Sequence, residues 1–347
     1  MDSNTTTKPA YTLPKDAVFL ITGCSSGLGL ALSHLIASHP THRLVATARD
    51  PAKLETLLLG NTTTATTTTT TTRTNDRILI LPLDVTSTDS IATALTTILT
   101  HPGFGRIDVL INNAGHGLMG DTETALPYHP SVPHSSDAEH AKARAVVEVD
   151  FWGAAAMTLH AVRVMREDNA RNGGGPQGGL VLQVTSMGGF MGFAGNAYYH
   201  AAKFGLEGFT ESLSREVRPE WNIHFTIAEP GGIDTNYATS SMSLLANHPA
   251  YDAPDSPARV LAAYIDNPEF RRLWSRPENM AKAIYEVVSR GQPIPMRFPL
   301  GTVSWQTLRA EADNIVREFD DMRHLSVSVD SVEQAEHVER VKDFASR

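Results

Sequence analysis

From residue 17 onward, short apolar runs alternate with longer segments whose apolar residues recur every three to four positions. Residues 17–22 (AVFLIT) are almost continuously apolar, the pattern of a strand covered on both faces. The runs at 44–48, 78–83, 109–112, 180–184 and 224–228 predict further strands, and 296–300 predicts a last one. Helical periodicity predicts helices over 28–38, 52–59 and 90–100, a long one from about 197 to 217, then 279–290 and a charged terminal helix over 304–323. Strand and helix alternating in this way imply right-handed βαβ crossovers and a parallel sheet.

Three segments break the rhythm. Residues 62–72 are almost pure threonine, broken only by Ala65, with no apolar face. They read as a solvated, disordered insertion, with an O-glycosylated stalk as the alternative. Residues 127–140, rich in Pro, Ser and His, read as a loop, and 171–179 (RNGGGPQGG) as a flexible connection. Residues 1 to about 16 read as a mobile arm without the apolar stretch of a signal peptide.

Composition narrows the function. A length of 347 residues is a soft prior for two domains, and 41% hydrophobic residues suffice for a large core. The net charge of -9 argues against a nucleic-acid binder or a polybasic membrane module. No apolar run of membrane-spanning length is present, and the single Cys24 excludes an internal disulfide framework or a cysteine-rich zinc site. A soluble cytoplasmic protein is expected. The 14 histidines raise the question of a metal. His129, His134 and His140 have no ligand spacing, and no metal is expected.

The chemistry starts at TGCSSGLG, between the first strand and the first helix. Gly23, Gly27 and Gly29 permit a tight turn and close approach of backbone N–H groups to a pyrophosphate, which the helix dipole then favours. About twenty residues further on, a dinucleotide site reads the ribose with a carboxylate for NAD or an Arg for the 2′-phosphate of NADP. This chain has Arg49 there, which favours NADPH over NADH, although Asp50 follows and competes. Cys24, in the same turn, reads as a small filler residue.

Tyr199 and Lys203 stand at i and i+4 on one helix face, which Tyr198 does not share. A phenol ordinarily titrates near 10, and work at neutral pH requires lowering that by about 2 to 3 pH units, which a neighbouring lysine cation can largely supply. Ser186 follows a strand at its carboxyl end, the edge where parallel sheets bind ligands.

TGCSSGLG, NNAG (112–115), Ser186, Tyr199-x-x-x-Lys203 and Pro230-Gly231-x-x-x-Thr235 follow one another in the order of the short-chain dehydrogenase/reductase family, which residues 17–236 resemble. FWGAAAMT, AYYHAAKFGLEGFTESLSREV, EPGGIDT and the tail MRFPLG are similar to its steroid- and retinol-type reductases and fungal oxidoreductases. The resemblance implies a single Rossmann-like α/β domain over 17–347. It would be a doubly wound parallel sheet with helices on both faces, a substrate cap over about 236–270 and the last strand and tail over 296–347. Tyr199 would be the general acid for carbonyl reduction, or the base for alcohol oxidation. Ser186 would hold the substrate oxygen, and Lys203 the nicotinamide ribose. Ser25, Ser26 and Leu28 would join the three glycines around the cofactor. Asp84 would contact the adenine, and Asn112, Asn113, Ala114 and Gly115 the adenosine side. Pro230, Gly231, Ile233 and Thr235 would border the nicotinamide.

Where the family commonly has Asn before the aromatic pair and glycine (NFWG), this chain has Asp150, in VDFWG. An ionised Asp150 able to pair with Lys203 implies a shifted pH optimum. Tyr237, Met242, Leu244, Leu245 and Tyr251 point to a hydrophobic or aromatic ketone as substrate, and the family's habit implies a homo-oligomer. His116, after NNAG, reads as a pocket residue or a loop contact. The expected activity is NADPH-dependent ketone reduction or its reverse, in secondary metabolism. The alternatives are dehydration, cyclisation or epimerisation on the same fold, or a catalytically silent dinucleotide sensor.

Overall fold

In the computed structural model, the described residues are 10–59, 76–172, 177–237 and 241–331, with 338, 341 and 342. Seven parallel strands form the main sheet: β1 (Val18–Ile21), β2 (Arg43–Ala48), β3 (Ile78–Pro82), β4 (Val109–Asn112), β6 (Gly179–Val184), β7 (Ile223–Pro230) and β9 (Arg297–Leu300). Their order is β3-β2-β1-β4-β6-β7-β9. A short parallel pair, β5 (Gly117–Met119) with β8 (Met242–Leu244), stands apart.

Alternation along β1 explains why it is apolar throughout. Phe19 and Ile21 enter one core with Leu28, Leu32 and Ile36 of α1 (Gly27–Ser38) and with α7 (Pro277–Ser289). Val18 and Leu20 enter the other, with α3 (Thr88–Thr100), the long α4 (Asp137–Glu167) and the end of α5 (Ala197–Glu216). Helices therefore cover both faces, as the pattern predicts. Three further helices of nine residues or more are α2 (Pro51–Leu59), α6 (Pro257–Asp266) and the terminal α8 (Thr302–Val327).

The chain winds away from β1 in both directions, towards β2 on one side and β4 on the other. In open α/β sheets, ligands bind at such a reversal, beyond the carboxyl ends of the strands.

Two expectations are corrected here. The loop expected over 127–140 ends early, because the Ser136 hydroxyl accepts from the Glu139 N–H and starts α4 at Asp137. That places His140 on a helix, with Nδ1 against the carbonyl of Ala125. The expected arm is partly docked. Tyr11 is 3% exposed and its hydroxyl lies 3.4 Å from the Asp108 carbonyl, while Asp16 pairs with Arg106 at 2.9 Å. Residues 1–9, the threonine run at 62–72 and residues 173–176 lie outside the described residues. Among the described residues, α4 alone has the length and apolarity of a membrane span, and half of its apolar window is buried in the fold.

Candidate active site

The turn after β1 is built by its glycines. Gly23 and Gly27 have φ of 71° and 54°, in the left-handed region where a Cβ is penalised. At Gly29 a Cβ would lie 2.3 Å from the Gly23 carbonyl oxygen and 2.4 Å from the Asn113 side-chain nitrogen. No side chain fits there. Ser26 precedes α1 and its hydroxyl makes no capping bond, so the N–H groups of the first turn, which have no intrahelical acceptors, remain for an anion. The cradle fits a pyrophosphate.

Asn113 braces this turn rather than lining it. Its amide donates to the carbonyls of Thr22 (3.0 Å) and Gly23 (3.1 Å), while the N–H groups of Asn113 and Ala114 both donate to the Thr22 hydroxyl at 3.0 Å. Asn112 does not line the crevice either. Its amide nitrogen is buried among the Ala154 carbonyl, Thr158 Oγ1 and Gln183 Oε1, at 2.9 to 3.1 Å. The sequence reading of Asn112 as an adenosine contact is therefore corrected to a bolt between β4, α4 and β6. Cys24 is fully buried, its Sγ 3.1 Å from the Ile21 carbonyl, and burial pushes the thiol up to about 11.

At the end of β2, Arg49 is exposed, and Asp84 beyond β3 feels its charge. Asp84 Oδ1 also accepts from the N–H and hydroxyl of Thr86 (2.9 and 2.7 Å), and these bonds chiefly hold its carboxyl below the ordinary range. Asp50, the competitor of Arg49, accepts from the N–H groups of Ala52 (3.2 Å) and Lys53 (3.4 Å), capping α2.

The catalytic candidates lie on α5 and the loop before it. Ser186 starts a turn after β6 that packs on α5, and its Oγ accepts from the Gly188 N–H at 3.0 Å. Tyr199 is 9% exposed. Lys203 is buried, with Nζ 5.6 Å from the centre of the Tyr199 ring, 3.4 Å from the Val184 carbonyl and 3.1 Å from Asp150 Oδ2. Burial works against the lysine charge. Asp150, followed by Tyr199 and Glu207, outweighs that and leaves its pKa above the ordinary value. Tyr199 also neighbours His200, which burial lowers to about 4 and whose Nδ1 accepts from the Phe193 N–H.

Asp150 is 1% exposed and sits in a π-helical turn, Glu148–Gly153, within α4. Such turns insert a residue into an α-helix and occur often at functional sites. Its second oxygen accepts from the N–H of His116 at 3.0 Å, which makes His116 a backbone partner of the site. A Cβ on Gly115 would meet the same carboxylate at 3.0 Å.

The segment from Pro230 to Thr235 carries the other cofactor candidates. Pro230 ends β7, the Gly231 N–H donates to the Leu300 carbonyl, and Ile233 bridges to Ser275. The Thr235 methyl covers Gly27, where a Cβ would lie 3.2 Å from it. Residues 242–259 then tie back to the segment that follows β4. β8 pairs with β5, Arg259 grips buried Asp121 through both oxygens, and the His248 N–H donates to Asp121 at 2.7 Å. His134 stacks edge-on against His248, and His129 accepts locally from the Ser131 N–H.

Sequence reasoning missed a buried acid cluster behind the site. Glu207, one turn past Lys203 on α5, accepts from the Thr185 hydroxyl at 2.8 Å and from Arg297 at 3.2 Å. Glu229, just before Pro230, lies 3.7 Å from the same arginine. Burial, then the neighbouring Glu207, raises Glu229 to about 8. The folded chain thus holds a proton that an ordinary glutamate releases near 4.5, and stability falls as pH rises from that value through about 8. Glu229→Gln keeps the neutral form. It is expected to raise Tm at pH 8 by a few degrees, about 2–4 °C per kcal/mol recovered, and to change little at pH 5, as thermal melts at the two pH values would show.

Residues 17–244 match the short chain dehydrogenase family. The chain is 36% identical to the oxidoreductase calM of Penicillium decumbens over 321 residues, covering 92% of this chain and 95% of that one. Human retinol dehydrogenase 8 is 32% identical, covering 80% and 79%. Among solved structures, a short-chain dehydrogenase from Streptomyces avermitilis is similar, with a TM-score of 0.70 and 26% identity, covering 90% of this chain and all of that one.

Proposed function

The chain belongs to the short-chain dehydrogenase family of oxidoreductases, and on that premise we propose that it reduces a ketone of a hydrophobic small molecule with NADPH, or oxidises the matching secondary alcohol. The observation that carries this reading is the buried Tyr199–Lys203–Asp150 row, held against the carboxyl ends of β4 and β6 and accompanied by the glycine turn after β1. A dinucleotide sensor has no need to retain Ser186, Tyr199 and Lys203 together. Oxidation of NADPH by the full chain, followed by absorbance across a panel of hydrophobic ketones, tests it.

When bound, the cofactor supplies the hydride. The residues of this chain do the rest. The Tyr199 phenol gives its proton to the carbonyl oxygen as negative charge builds there. Ser186, whose Oγ is an acceptor for the Gly188 N–H, keeps its own O–H free to donate to the same oxygen. Lys203 places a positive charge beside the phenol and favours its ionised form. Asp150 keeps the buried lysine protonated and fixes its amine in place.

Arg49 and Asp50 support NADPH over NADH. A free Asp50 would read a ribose 2′-hydroxyl, but its carboxylate caps α2. Arg49, exposed at the end of β2, is left as the planar cation suited to a 2′-phosphate. Charge-assisted hydrogen bonds of this kind contribute about 1.5–3 kcal/mol. Arg49→Ala is accordingly expected to raise KM for NADPH by roughly 10- to 100-fold and to leave KM for NADH nearly unchanged. Steady-state kinetics with each cofactor would show it, and equal losses for both would count against the assignment.

Leu118, Leu245 and Tyr237, which pack with Tyr199, support a hydrophobic substrate. Assembly as a homo-oligomer through α4 and α5 is part of the same reading. Those helices leave Trp152, Leu159 and Phe204 exposed.

A further inference from the structure

Tyr237 belongs to no motif of the site, yet it packs against Tyr199 in the cluster with Leu118 and Leu245. The two rings stand 6.1 Å apart at 54°. Tyr237 comes from the segment that follows the nicotinamide wall, and its N–H donates to the Thr235 hydroxyl at 3.2 Å. The same threonine touches Gly27 of the cofactor turn, so this segment runs from the cradle to the catalytic phenol.

Gly117 makes room for it. A Cβ there would lie 2.5 Å from the Tyr237 hydroxyl oxygen and 2.8 Å from the ring carbon that bears it. Any side chain at 117 would expel the phenol. β5 therefore carries a slot, at the residue paired with Met242 of β8, into which the Tyr237 hydroxyl is seated.

We propose that Tyr237 is a positioning residue whose hydroxyl donates a hydrogen bond to the oxygen of Tyr199, fixing that oxygen and stabilising its ionised form during proton transfer. The proposal rests on the assignment of Tyr199 as the proton-transfer group. Direction follows from Lys203, whose cation stands beside the Tyr199 ring and favours the ionised form of that phenol. Burial, then the Tyr199 charge and hydroxyl, and then Asp150 push Tyr237 well above the usual phenol range, so it keeps its proton. The charged and titratable groups around the pair are Lys203 beside Tyr199 on α5, Asp150 on α4 with His116 against it, and neutral His200. None of these offers Tyr199 a second neutral O–H donor. A hydrogen bond to an ionised oxygen is about twice as strong as one to a neutral one, so Tyr237 favours the ionised form selectively.

The test uses the full chain with NADP+ and a hydrophobic secondary alcohol that it oxidises. For Tyr237→Phe, which keeps the ring, kcat at pH 7 is expected to fall about tenfold with KM changed less than about twofold. The ascending limb of the pH–rate profile should move up by about one pH unit, with recovery at the alkaline plateau. Gly117→Ala, which keeps the phenol but displaces it, should move the limb in the same direction. A Tyr237→Phe profile that overlays wild type, or one lowered equally at every pH, overturns the proposal. Tyr199→Phe, run alongside, separates the two assignments. If it is inactive and Tyr237→Phe overlays wild type, only the role of Tyr237 falls; if it retains the rate, the role of Tyr199 falls and takes this one with it.

Discussion

Tyr199→Phe lowers kcat for ketone reduction by about 10²- to 10⁴-fold, the usual contribution of a positioned general acid, while NADPH binding and folding persist. The substitution removes one oxygen and keeps the ring. That ring packs among Leu118, Ala125, Ala143, Val146 and Leu245, contacts that phenylalanine reproduces. The cradle for the cofactor, built from Gly23, Gly27, Gly29 and Asn113, shares no hydrogen bond with the phenol. Loss of rate without loss of affinity is what removal of an interaction made only in the transition state produces. Three measurements check it together: NADPH oxidation, NADPH affinity by fluorescence titration, and the thermal melt. A variant that oxidises NADPH as fast as wild type would end the assignment.

The sheet was legible because its central strands are buried on both faces and read as apolar runs, as at 18–21 and 109–111. The cofactor turn and the Tyr199–Lys203 spacing were legible for a similar reason, since local geometry dictates residue type there. What stayed hidden depends on contacts between distant segments. The start of α4 at Asp137 was masked by the proline-, serine- and histidine-rich stretch before it. The inward turn of Asn112 is set by Thr158 and Gln183, far along the chain, and adjacent Asn113 gave no sign that the two amides would take different tasks. Tyr237 read as one more apolar residue of the cap, because its meeting with Tyr199 needs the β5–β8 pair and the absence of a side chain at Gly117. The acid cluster joins Glu207, Glu229 and Arg297 from three elements. A glutamate directly before Pro230 and another one turn past Lys203 were its only signals.

The identity of residue 150 separates two effects that most sites merge. Asp150→Ala leaves Lys203 buried without its partner, and breaking a buried pair by removing one member costs about 3–5 kcal/mol. Because the pKa of Lys203 is raised in the folded chain, the pair contributes its full stability below the ordinary lysine value and loses it as pH rises through the folded one. The deficit of Asp150→Ala against wild type should therefore be complete at pH 7 and shrink only in strong alkali, as chemical denaturation at several pH values would show. Asp150→Asn behaves differently. An amide oxygen can still accept from the lysine amine, so most of the geometry survives, but the negative charge 3.1 Å from Nζ is gone. The lysine charge then acts on Tyr199 without a counter-charge, and the ascending limb of alcohol oxidation should move to lower pH by about one unit, tenfold in rate on the limb. Activity persists, in contrast to Tyr199→Phe. The shift is also opposite in sign to that expected for Tyr237→Phe, because one change strips a negative charge from the neighbourhood of the phenol and the other strips a donor. A pH–rate profile of Asp150→Asn that overlays wild type would mean that the carboxylate only props up the lysine and has no part in setting the proton chemistry.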